Sequence, residues 1–291
     1  MTDNNGNGLA DERTAPFPQL RAAYMRAIAR AWRDPHYEDC LRELGPEGGL
    51  EHLETEYHIK FPWDINFHMN LEDENLRPAY DPIFCRDWFG DADEFIITLP
   101  GKPDDMEHAA DHLARYLQEF PTMLGRPKTS EPSESSESSE SSKPSHGSAE
   151  APDDFAEFGV MTGRIISLVW GQPFLEKLFF DEDNPDARGL VQGALDYVVK
   201  WNFRLKFKRN EKPLPRYPVG SDDTKAYNDY WKDFPRTTVM VYVPANPFAK
   251  REDGKGAKYL EHIEAGDRDA IIPAALAAYN DTSDQYPFSC A

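Results

Sequence analysis

A chain of 291 residues has room for two domains, and a formal net charge of -20, from 52 acidic against 32 basic residues, argues against a nucleic-acid binder or a partner at an anionic membrane surface. No apolar run approaches the ~18 residues of a bilayer span, and the polar start Met1-Thr2-Asp3-Asn4-Asn5-Gly6 has no signal-peptide pattern. Three cysteines, Cys40, Cys85 and Cys290, are too few and too scattered for a disulfide framework or a Cys-x-x-Cys metal pair. A cytoplasmic location is expected, with export lacking a Sec signal as the variant.

Residues 1–15 read as a disordered arm. Helical spacing of Leu20, Tyr24, Ile28, Ala31 and Trp32 then predicts a first helix. Asp34-Pro35 interrupts it, and Pro35 suits the first turn of a second helix carrying Tyr37, Leu41 and Leu44. Gly45-Pro46 is expected to stop that helix. From Trp63 to Met69, Ile65, Phe67 and Met69 alternate with Asn66, His68 and Asn70, the period of a half-buried strand. A second strand is expected over Phe95–Leu99, followed by a helix within residues 104–120. Residues 127–153 form a Ser/Glu-rich tether whose like charges should keep it extended.

The order then repeats. Ile165, Ile166, Leu168, Val169 and Trp170 mark a helix, Pro173 opens another with Phe174, Leu178 and Phe179, and a further helix covers residues 190–199. Phe203, Leu205 and Phe207 alternate with Arg204, Lys206 and Lys208, and Val239, Val241 and Val243 mark a last strand. A helix is expected over residues 269–279 and a flexible tail over 281–291. Adding 138 to Trp32, Pro35, Glu38 and Trp63 gives Trp170, Pro173, Glu176 and Trp201, so four of the six tryptophans fall on one grid. We read one unit present twice, over 16–126 and 154–280. The fold class expected is α+β: two tandem related units, each with helices followed by a small antiparallel sheet, either self-contained or paired about a pseudo-two-fold axis, with a homodimer as the further option. The surfaces differ, since residues 1–126 hold 25 acidic and 12 basic residues (net -13) and residues 153–291 hold 22 and 18 (net -4).

The run Ala29-Arg30-Ala31-Trp32-Arg33-Asp34-Pro35-His36-Tyr37-Glu38-Asp39-Cys40-Leu41 resembles the opening of the nitrile hydratase alpha subunit, with its Trp-x-Asp-Pro segment. The strand ending Leu99-Pro100 resembles the end of leader peptides derived from that subunit. Such leaders belong to ribosomally made, post-translationally modified peptides, including thiazole/oxazole-modified microcins (TOMMs), some of them bacteriocin-like. The resemblance covers roughly residues 20–101 and, more weakly, 158–244. The Cys-x-x-Cys-Ser-Cys metal claw of nitrile hydratase has no counterpart here, so nitrile hydration is not implied. Gly48-Gly49 lies inside the first unit, ahead of its strand, and is not read as a leader cleavage site.

The resemblance implies a precursor-like protein recognised by a peptide-modifying or export enzyme, without catalysis or a cofactor of its own. Trp32, Pro35, Tyr37, Leu41 and Trp63, with Trp170, Pro173 and Trp201 in the second unit, would form the recognised body, through edge-strand addition or a helix in a groove. Thr282, Ser283, Ser289 and Cys290 are the candidates for modification near the C-terminus, where an accessible backbone suits ring formation. Two alternatives stand beside this: a binding or structural protein on the same unit, and an enzyme with an unrecognised metal site at His108 and His112. These histidines are four apart and share a helix face, although a third ligand is not evident.

Overall fold

The computed structural model describes residues 16–71, 93–128, 153–181, 183–199, 203–220 and 224–243. Trp201, Cys85, Thr282, Ser283, Ser289, Cys290, the expected arm, the helix over 269–279 and the tail therefore lie outside the described residues, as does most of the tether.

The α+β class holds. Among the described residues, three helices precede the first strand: α1 (Pro16–Ala31), α2 (Pro35–Glu43) and α3 (Gly45–Tyr57). The strands β1 (Asn66–Leu71) and β2 (Glu94–Leu99) follow, then α4 (Ala109–Glu119) behind a 3-10 turn. In the second half α5 (Asp153–Gly171), α6 (Pro173–Phe179) and α7 (Arg188–Leu195) precede β3 (Arg204–Arg209), and α8 (Thr224–Lys232) leads into β4 (Thr238–Val243).

Pro35 begins α2 as expected, and the Asp34 carboxylate caps it by accepting from the His36 N–H at 3.0 Å. The expected stop at Gly45-Pro46 is instead a joint. Gly45 takes φ +61, which ends one helix, and Pro46 occupies the first turn of the next, where its missing N–H costs nothing. Leu50 and Leu53 of α3 are buried in the core.

The sheet departs from the expected pairing. The expectation was one small antiparallel sheet per unit. The four strands instead form a single mixed sheet in the order β1-β4-β2-β3, with β1 parallel to β4, β2 parallel to β3, and only β2–β4 antiparallel. The two strands of one half never pair with each other. Alternation of apolar residues fixes which face of a strand is buried but is silent about its neighbour. Between Leu71 and Glu94 lie 22 residues of sequence, too many for a two-residue hairpin loop, so nothing local enforces a hairpin.

The register has an internal symmetry. Exchanging β1 for β3 and β4 for β2 turns Asn66 opposite Thr238 into Arg204 opposite Glu94, and Leu71 opposite Val243 into Arg209 opposite Leu99. At the centre, Glu94 opposite Met240 becomes Thr238 opposite Ile96, which is also a pair, and Phe95 opposite Val239 maps onto itself. Phe95 and Val239 have no solvent exposure, so the middle of the molecule is apolar and common to both halves. One continuous buried cluster runs from Leu20 to Val243 across the boundary that composition suggested.

Candidate functional site

Seven of the eight residues expected to form the recognised body are described. Trp32, Tyr37, Leu41, Trp63 and Trp170 are buried side chains of the common core, whereas Pro35 and Pro173 are exposed at helix starts. The aromatic residues therefore shape the body from inside, and any partner touches what they position. Trp170, at the end of α5, donates its indole N–H to the carbonyl of Pro100 at 3.1 Å, so a tryptophan of the second half holds the end of a strand of the first. The Trp63 ring packs at a tilt against Phe61, with centroids 5.3 Å apart, and Trp63 sits opposite Pro127 in an isolated bridge. Asp64 N–H donates to the Arg126 carbonyl (2.8 Å) and Lys128 N–H to that of Pro62 (2.7 Å). Pro127 and Lys128, which composition assigns to the tether, thus belong to the folded body.

Tyr37 anchors a half-buried polar knot between α2 and α3. Its hydroxyl lies 2.8 Å from His52 Nε2 and 3.2 Å from the Tyr57 hydroxyl. The Arg30 guanidinium covers the Tyr37 ring at 4.1 Å and pairs with Glu56. Burial raises the Tyr37 phenol above its ordinary range and lowers the His52 imidazole, so both favour their neutral forms and can share one proton-bearing contact.

His108 and His112 do not act as a pair. His112 is fully buried, with Nε2 3.1 Å from Asp105 Oδ1 and Nδ1 3.2 Å from the Tyr227 hydroxyl. The carboxylate can only accept, so Nε2 donates to Asp105, and with Nδ1 held against the Tyr227 hydroxyl neither nitrogen is open to a metal. His108 stacks on Tyr217 at 5.0 Å and faces Asp111 at 3.1 Å. Among the described residues no group of three or more His, Cys, Asp or Glu side chains could hold a metal ion.

What the two histidines do is join the halves. Asp105 also accepts from the Tyr217 N–H at 2.7 Å, so the turn before α4 grips the segment that follows β3. Next to it lies an aromatic layer of Tyr116, Phe120, Tyr230, Trp231 and Phe234, between α4 and α8. The phenol of Tyr230 is pushed up to about 12, chiefly by burial, and accepts from Asn210 Nδ2 at 3.1 Å. Sequence reasoning overlooked α8, although Tyr227, Tyr230, Trp231 and Phe234 follow helical spacing.

The sheet edges are guarded at equivalent points. On β3, the Leu205 carbonyl accepts from Ala187 N–H at 2.6 Å and its N–H donates to the Asp186 carboxylate at 3.2 Å. On β1, α3 packs so closely that a Cβ added to Gly49 would lie 2.2 Å from the Phe67 carbonyl oxygen. The 138-residue offset carries Gly49 onto Ala187 and Phe67 onto Leu205. No helix among the described residues is long and apolar enough to cross a membrane.

The described body is a mixed sheet bound by buried aromatics that join its two halves, and its first half is similar to one known family. Residues 15–124 match a family described as "Ribosomal natural product, two-chain TOMM family". That match supports a TOMM-related, ribosomally made natural-product family over the first half. Neither the curated proteins nor the solved structures give a match.

Proposed function

We propose that this chain is a non-catalytic precursor or recognition protein of a ribosomally synthesised, post-translationally modified peptide pathway, built from two nitrile-hydratase-leader-like units. The observation that carries the reading is the family match over residues 15–124, which spans α1 to the segment after α4. The two-chain character of that family suits a body that takes two units to complete, here carried on one chain. The 138-residue tryptophan grid and the symmetric strand register support a duplication. A peptide-modifying enzyme is the partner of this reading. With both sheet edges approached by other segments at Phe67 and Leu205, a helix face or groove is the better route of recognition than strand addition.

The chemistry proposed is ring formation at Ser289 and Cys290, with Thr282 and Ser283 as further candidates: the side-chain oxygen or sulfur attacks the preceding carbonyl, and one water leaves per ring. Intact-mass spectrometry after co-expression with the modifying enzymes of the same genomic neighbourhood should show loss of whole waters, mapped to the last ten residues. An unchanged mass, in a preparation where the enzymes modify another substrate, would rule the precursor role out.

A further inference from the structure

We infer that the two halves form a strand-exchanged interface able to close between separate chains, so that this protein accepts a matching helix–strand unit from a second copy of itself. The inference rests on the sheet and not on the pathway reading.

Within one half, β1 and β2 are separated by the width of a strand, and β4 of the other half fills the gap. The exchange is reciprocal, because β2 lies between β4 and β3. Every ladder in the sheet therefore joins one half to the other: six residue pairs in β1–β4, six in β2–β3 and three in β2–β4. A half on its own would leave both its strands without ladder partners, with the backbone groups of buried Phe67, Phe95 and Leu99 unpaired. It would also uncover Phe95, Ile97 and Leu99, and lose the contact from Trp170 to Pro100 and the grip of Asp105 on Tyr217. These are the features of an obligate interface between subunits rather than of two domains that meet after folding.

The described residues on either side of the tether are Lys128 and Asp153, and the 24 residues between them are rich in Ser and Glu. Sharing one chain raises the local concentration of one half near the other, while every residue pair of the described ladders lies outside this stretch. The same ladders form whether or not the two halves share a tether, and the register is specified by side chains alone.

The test uses the full chain with a protease site placed between Ser138 and Ser139. After cleavage of the folded protein, the two pieces should elute together as one particle of the intact mass at low micromolar concentration. A tagged and an untagged cleaved preparation, unfolded together in urea and diluted, should yield tagged first halves carrying untagged second halves in close to statistical proportion. Two separately eluting pieces after cleavage would overturn the inference, and so would a refolded mixture without hybrid pairs.

Discussion

Gly49 shows how a single position can be set by an approach of backbone to backbone. Its α-carbon faces the Phe67 carbonyl, and a methyl group there would lie 2.2 Å from that oxygen, far inside van der Waals contact. Neither α3 nor β1 can retreat without disturbing Leu50, Leu53 and Phe67, all buried. Gly49→Ala should therefore destabilise the protein by about 2–3 kcal/mol, as overpacking does in a rigid core. Gly171→Ala, where a Cβ meets nothing within 4 Å, should lie within about 1 kcal/mol of the parent. Urea unfolding of the two variants checks this, and equal midpoints would contradict it. The Gly-Gly sequence thus has a packing reason that no leader-processing reading requires.

At the level of elements, the Asp105 carboxylate is a clamp with a definite pH dependence. Burial alone would raise its pKa, but the Tyr217 N–H, His112 and its own backbone amide outweigh burial and hold it below the ordinary value. A depressed folded pKa contributes stability that is present above the unfolded carboxylate value, near 3.9, and lost as pH falls through the folded value. Asp105→Asn should thus be less stable than the parent at neutral pH, and the gap should narrow once the pH drops below about 4. Unfolding midpoints of both proteins between neutral and acid pH measure this, and a gap that stays constant would exclude a charged clamp. How much of the elements could be read in advance follows the same local logic. The four strands were legible because Ile65, Phe67 and Met69, or Val239, Val241 and Val243, alternate by themselves. The α3 helix was hidden because Gly45-Pro46 carries two signals, a stop and a start. Strand partners were illegible because ladder pairing depends on residues more than a hundred positions away. Trp32, Tyr37 and Trp63 face inward, as their spacing with other apolar residues implies, whereas the contact of His112 with Tyr227 was illegible because the two lie 115 positions apart.

At the scale of the whole molecule, composition suggests two bodies on a string, while the sheet makes one. If each half folded alone, heating would melt them separately, because their sequences and charges differ: net -13 over residues 1–126 against -4 over 153–291. In the observed topology the ladders are all shared, so the loss of either half removes the partners of the other half's strands. Unfolding should then be a single cooperative transition, with the calorimetric enthalpy equal to the van't Hoff enthalpy. The same transition should appear in tryptophan fluorescence, to which Trp32 and Trp63 report from the first half and Trp170 and Trp231 from the second. Two resolved transitions, or a fluorescence midpoint separated from the loss of helical signal, would mean that the halves hold themselves together and that the shared sheet contributes little. A single transition would place the stability where the register puts it, around the buried pair of Phe95 and Val239, at which the two halves meet.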